Sequence, residues 1–255
     1  MTQEQTPILV AKKVSKYFGS MAAVKDLDCH VLPGEIFGIA GPNGAGKTTL
    51  FNVISHVFPP DSGQVMFDGK YIHRLSLNRI YQLGLARTFQ IPALFKTLTV
   101  YQNVLVGTTF GDPKKGSKAT KHEKEEMVDE TLRFVGLIDK KSVVAEQLAL
   151  MDRKLLMIAS ALATKPKLLM LDEPVAGLSK PEAVHVIDLI RKINGQGVTV
   201  ILIEHIMEAL MGLSNRVMIM HHGEKISEGT PAEVAQDEKV ITAYLGEKYS
   251  QPTKP

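Results

Sequence analysis

Several short stretches of the chain are almost continuously apolar: EIFGIA at 35–40, KLLML at 167–171, VTVILI at 198–203 and RVMIM at 216–220. Runs of this length without polar alternation predict strands covered on both faces, as in a mostly parallel sheet flanked by helices. From Ile8 to Val31 the apolar positions alternate more loosely, which predicts an antiparallel layer. The turn VLPGE (31–35) places Pro33-Gly34 where a type II geometry needs them. A helix is predicted over 180–194. Ser179 and Glu182 form a capping box at its start, Ala183, Val186, Ile187, Ile190 and Ile193 share one face, and Gly195 is the expected terminator. The stretch from about 92 to 165 is mostly helical in pattern. It contains GDPKKGSKATKHEKEE (111–126), the most polar run in the chain, which reads as a solvated loop leading into a helix rather than a basic patch for lipid. No internal repeat is present, and the tail after Tyr249 reads as a frayed end. The expectation is an α/β core formed by residues 1–91 and 166–255, interrupted by a helical subdomain at 92–165.

Composition adds bounds. The 255 residues suffice for a core without covalent staples. A net charge of +3 is too small to argue for nucleic acid. The single cysteine, Cys29, excludes an internal disulfide and fits a reducing compartment. It alternates with Leu27 and Val31, which predicts a half-buried strand thiol. The N-terminus lacks the pattern of a signal peptide, and no apolar run approaches the roughly 20 residues that span a bilayer. Any membrane association is expected to come through a partner.

Against this frame, GPNGAGKTT (41–49) stands between the strand pattern EIFGIA and the helical pattern TTLFNVISHVF. It matches G-x-x-x-x-G-K-[ST] in the strand–loop–helix setting the motif requires. Gly41, Gly44 and Gly46 let the backbone curl with its N–H groups inward, and Pro42, Asn43, Ala45 and Thr49 complete the loop. Lys47 supplies a point charge for the outer phosphates, and the Thr48 hydroxyl can ligate Mg²⁺. A second element agrees. Leu168 to Leu171 form an apolar strand ending in Asp172-Glu173-Pro174, and carboxylates at the C-terminal end of a strand sit where open α/β sheets bind ligands. Side chains alternate along a strand, so the two acids must diverge, one toward Mg²⁺ and one toward the attacking water.

These motifs, with ARTFQ (86–90), ILIEHIM (201–207) and SKYFGS (15–20), resemble the ATP-binding-cassette (ABC) ATPases. The resemblance covers nearly the whole chain. It implies a P-loop NTPase core with an antiparallel β layer and an inserted helical subdomain. It gives Gln90 the role of sensing Mg²⁺ and the nucleophilic water, His205 a contact to the γ-phosphate, and Phe18 a stack on adenine, with Tyr17 its nearby rival. Three longer segments, GPNGAGKTTLFNVISHVFPPDSGQVMFDGK, GLARTFQIPALFKTLTVYQNVLVG and EGTPAEVAQDEKVITAYLGE, are similar to the ATP-binding subunits of branched-chain amino-acid importers. Within these they resemble the first of two unlike ATPase subunits. That likeness implies a second ATPase subunit in a heterodimer, transmembrane permease subunits, an indirect link to a solute-binding protein and a peripheral place on the cytoplasmic face of the inner membrane. Nucleic acid is not an expected partner. The alternatives are a non-transport ATPase of the same fold, in DNA repair or translation, and a nucleotide-binding regulatory module with little turnover.

LALMD (148–152) departs from the family pattern. There the resemblance implies a serine–glycine–glycine–glutamine signature that clasps the γ-phosphate on the partner's P-loop. Aligned through IASALA (158–163), Ala149 replaces the serine, Leu150 and Met151 the glycines, and Asp152 the glutamine. Ala149 has no hydroxyl. Leu150 and Met151 obstruct close approach of backbone N–H groups to an anion. A carboxylate about 4 Å from a phosphate costs on the order of 4 kcal/mol per charge pair at an effective dielectric near 20. LALMD is therefore expected to start a packed helix, with Asp152 as its N-cap and the phosphate-clasping role degenerate. AGLS (176–179) departs too, ending in Ser179 where the family often has aspartate.

Overall fold

The computed structural model describes residues 5–90, 93–110 and 119–245. These fall into two compact units, one holding the residues up to Leu75 together with those from Thr199 onward, the other Ser76–Val198. The expected polar loop at 111–118 and the expected frayed tail lie outside the described residues.

The first unit begins with β1 (Leu9–Phe18) and β2 (Met21–Val31), then β3 (Ile36–Ala40), helix α1 (Lys47–Ile54), β4 (Ser62–Phe67) and the short β5 (Lys70–Tyr71). Strands β1 and β2 form an antiparallel hairpin, with Leu9 opposite Val31 and Phe18 opposite Met21. With β4 and β5 they make the loosely alternating layer, in the order β2-β1-β4-β5. Along β1 Leu9, Ala11 and Val14 are buried while Lys12 and Lys13 face solvent; the alternation of a sheet with one wet face shifts at the irregularity between Ala11 and Val14. Cys29 on β2 is fully buried rather than half-buried, and burial pushes its thiol up to about 12.

The second unit runs through α2 (Leu77–Leu83), β6 (Leu85–Arg87), α3 (Val100–Phe110), α4 (Lys121–Val135), α5 (Leu150–Leu162), β7 (Leu168–Asp172) and α6 (Lys180–Gly195). Helices α3, α4 and α5 pack on one another, and Val104, Val128, Leu132 and Leu155 on them are buried. The polar run closes as expected into α4. Thr120 caps that helix and Glu123 answers with a hydrogen bond to the Thr120 N–H at 2.6 Å. β6 and β7 pair in parallel, Leu85 with Leu168 and Arg87 with Met170.

The first unit then resumes with β8 (Thr199–Ile203), α7 (Met207–Leu213), β9 (Arg216–His221), β10 (Glu224–Gly229), α8 (Pro231–Gln236) and α9 (Glu238–Leu245). β3 lies between β8 and β9, parallel to both, and all five of its residues are buried, as its unbroken apolar run predicts.

Two helix ends differ from expectation. Gly195 is the last helical residue of α6 and not its terminator; the chain reverses at Gly197, where φ is +89°. α5 starts three residues earlier than an Asp152 cap would place it. Ala149 is the N-cap, without a side-chain bond, and Asp152 lies inside the first turn, where its carboxylate meets the Lys140 ammonium at 2.5 Å. An acid there still complements the helix dipole. The capping box at Ser179 forms as expected, the Glu182 carboxylate accepting the Ser179 N–H at 2.8 Å.

Candidate functional site

In the first unit the 41–49 segment is a loop wrapped over the start of α1. Gly41 has φ +149° and Gly46 φ +97°. A Cβ at either would lie 2.1 Å from a carbonyl oxygen, of Met220 and Ala23 respectively, so both conformation and space demand glycine. Gly46 is the N-cap of α1, which leaves the first N–H groups of the helix without helical partners. The Lys47 ammonium, buried, donates to the carbonyl oxygens of Gly41 at 2.6 Å and Pro42 at 2.9 Å. Asn43, Gly44 and Thr48 are exposed, so the Thr48 hydroxyl faces solvent. Ala45 is anchored from behind, its carbonyl accepting the Gly223 N–H at 3.1 Å. The Tyr244 hydroxyl on α9 accepts the Gly41 N–H, while burial raises that phenol above its ordinary value.

Phe18, at the end of β1, is half-exposed and sits edge-on to Phe58 with ring centroids 5.8 Å apart. Its rival Tyr17 is similarly exposed, with its N–H held by Asp61 at 2.7 Å. His205 is exposed just past β8, its N–H donating to the buried Glu204 carboxylate at 3.2 Å.

In the second unit the β6–β7 register sets ARTFQ beside LLMLDEP. Asp172 ends β7, and its Oδ2 meets Nη2 of Arg87 at 3.0 Å, with both side chains almost fully buried. The Asp172 N–H donates to the Thr88 hydroxyl at 3.4 Å. Glu173 leaves the strand with φ +49°, a left-handed conformation that L-residues seldom adopt. Its carboxylate accepts from Gln90 Nε2 at 2.8 Å and its main-chain carbonyl accepts from Lys154 Nζ at 2.8 Å. The two acids have different partners, Asp172 meeting Arg87 and Glu173 meeting Gln90, and it is the left-handed turn at Glu173 rather than strand alternation that sets the second. Arg87 and Lys154 were not candidates from sequence. A signal existed for each: Arg87 interrupts an otherwise apolar short strand, and Lys154 shares a helix face with Ile158 and Ala161.

The LALMD segment is only partly packed. Leu148 is buried, but Leu150 is 43% exposed, so it is not the core residue expected. Its Cδ2 lies 3.2 Å from where a Cβ on Gly177 would stand, so it leans on the AGLS loop.

The sequence profile of the ABC transporter family matches residues 24–176. This chain belongs to the ABC transporter ATP-binding family. The profile of the branched-chain amino acid ATP-binding cassette transporters matches 224–250 at the C-terminal end of the cassette. The cassette is 34% identical over 251 residues to the high-affinity branched-chain amino acid transport ATP-binding protein LivG of Escherichia coli, covering 94% of this chain and 98% of LivG. It is equally similar, over 253 residues and the same shares, to the corresponding protein BraF of Pseudomonas aeruginosa. Among solved structures it is similar to a nucleotide-free ATP-binding cassette of an ABC transporter, with a TM-score of 0.84 and 32% identity over 95% of this chain and all of that one. A cassette in its ADP conformation gives 0.83 at the same identity and the same shares. The P-loop NTPase fold expected from sequence is thus the fold of the cassette, and the activity of its family is ATP hydrolysis.

Proposed function

We propose that this chain is the ATP-hydrolysing subunit of an importer for branched-chain amino acids or chemically related solutes. The observation that carries the reading is near full-length similarity to relatives named for that transport, including a C-terminal segment specific to them. No helix among the described residues is long and apolar enough to cross a membrane. By its likeness to transport ATP-binding proteins, the chain would act peripherally, at the cytoplasmic face of the inner membrane, beneath transmembrane permease subunits that receive solute from a binding protein. The helical region 92–165 is the proposed permease-docking subdomain.

The backbone N–H groups of 43–49 would hold the phosphates of ATP, and Lys47 would exchange the carbonyls of Gly41 and Pro42 for phosphate oxygens. Phe18 would cover the adenine. Among the described residues no cluster of three or more His, Cys, Asp or Glu forms a metal cage. That suits Mg²⁺, which binds through one or two protein oxygens together with substrate phosphates. Thr48, Gln90 and Asp172 would hold it. When bound, Mg²⁺ neutralises charge developing on the phosphoryl oxygens. Glu173, oriented by Gln90, would polarise the attacking water, and His205 would steady the γ-phosphate. The Leu150–Asp152 segment offers no glycine backbone for a second nucleotide, so we assign this chain to a heterodimer with one competent composite site and one weak site.

The test is ATP turnover by the purified chain alone and after mixing with its second ATPase subunit. Turnover is expected to be slow alone and fast in the mixture. Brisk hydrolysis by the isolated chain would reject the asymmetric heterodimer.

A further inference from the structure

Lys154 is a buried lysine whose ammonium donates to a main-chain carbonyl. The residue is 4% exposed, in the second turn of α5, and its Nζ lies 2.8 Å from the Glu173 carbonyl oxygen. Burying an ammonium is costly unless its hydrogen bonds are strong, and a charge-assisted bond to a carbonyl is of that kind. The carbonyl it holds belongs to the residue with φ +49°, a conformation that persists only where surrounding groups over-determine it. The same carbonyl also accepts the Ala176 N–H, at 3.3 Å. The side chain of that residue is held at its far end by Gln90. Glu173 is thus gripped at both ends, by Lys154 at the backbone and by Gln90 at the carboxylate.

We infer that Lys154 is a positioning residue for Glu173: it fixes the left-handed turn that aims the carboxylate, and it ties that turn to α5. The inference rests on the ATPase reading for its effect on rate, and on geometry alone for its effect on the turn. Lys154 is one helical turn from Leu150, about 6 Å along a rigid axis. The start of α5 also touches the 176–179 loop through Leu150 and Gly177. A displacement of α5 therefore reaches Glu173 directly, and the helix that begins at LALMD keeps a role even where its first turn no longer suits a phosphate.

The experiment compares wild type, Lys154→Met and Lys154→Arg in the complex with the second ATPase subunit. It measures kcat, fluorescent-nucleotide affinity and amide hydrogen exchange at Ala176. Lys154→Met is expected to lower kcat by roughly 10²-fold, the scale of a small misplacement of a reacting group, with nucleotide affinity unchanged. Exchange at Ala176 should accelerate as its acceptor carbonyl loosens. Lys154→Arg keeps the donor and should restore both. If the methionine variant does not fold, Lys154→Gln, a neutral donor, takes its place with the same expected direction. An unchanged kcat with unchanged Ala176 protection would overturn the inference, as would an equal loss in the arginine variant. If the wild-type complex neither binds nor hydrolyses ATP, the ATPase reading fails, and the Ala176 exchange still decides whether Lys154 holds the turn.

Discussion

Replacing Glu173 with glutamine is expected to lower ATP turnover by roughly 10²–10⁴-fold, the range a positioned general base contributes. Nucleotide binding should be retained. The substitution is nearly isosteric, and the oxygen that accepts from Gln90 at 2.8 Å has a counterpart in the new amide. The positive φ of residue 173 and the Lys154 contact involve main-chain atoms, so the turn should survive. What disappears is the negative charge that polarises water. The phosphate-binding segment, with its glycines and Lys47, is untouched, so the variant should accumulate bound ATP and the closed dimer. Single-turnover hydrolysis with labelled ATP, read beside equilibrium binding, separates the two effects. A rate equal to wild type would remove Glu173 from its proposed role.

Arg87→Met is expected to destabilise the protein by about 3–5 kcal/mol, the cost of breaking a buried ion pair from one side. The guanidinium and carboxylate of Arg87 and Asp172 meet at 3.0 Å, with side chains only 2% and 3% exposed. Removing the cation takes from the Asp172 carboxylate a charged partner that it meets in an almost fully buried place. The methionine fills much of the arginine stem's volume, so the loss measures charge rather than a cavity. Chemical denaturation reads the effect. Adding Asp172→Asn to Arg87→Met should recover a large share of it, because the buried negative charge is then gone. A loss below about 1 kcal/mol in the single variant would place the pair with exposed ion pairs, whose contribution is that small.

The parts legible in the sequence are those that local chemistry encodes. Glycines at 41, 44 and 46 announce backbone that other residues cannot adopt, and all three have positive φ. Unbroken apolar runs announce covered strands, and β3, β7 and β8 are buried throughout. The capping box at 179 follows from residue types three positions apart. What was not legible depends on residues far apart in the chain. Arg87 and Asp172 are 85 positions apart, and Lys154 and Glu173 are 19 apart on different elements. No propensity rule pairs them. At α5, local preference favoured Asp152 as cap. The helix instead starts at Leu150, with Asp152 drawn to Lys140 and Arg153 donating to the Glu146 carbonyl at 2.7 Å. At the end of α6 the choice between two nearby glycines, Gly195 and Gly197, turns on one extra helical residue, a resolution finer than periodicity offers.

The seclusion of Cys29 has a practical side. A thiol reacts as its thiolate, and one buried in β2 and held up to about 12 presents almost none at neutral pH. Maleimide and nitroxide reagents should therefore pass over the native chain. A single cysteine introduced at an outward position such as Val184, 56% exposed on α6, would be the sole attachment point for a spectroscopic probe. The distance from that probe to one on the second ATPase subunit could then follow the opening and closing of the assembled transporter without first stripping the chain of its own sulfhydryl.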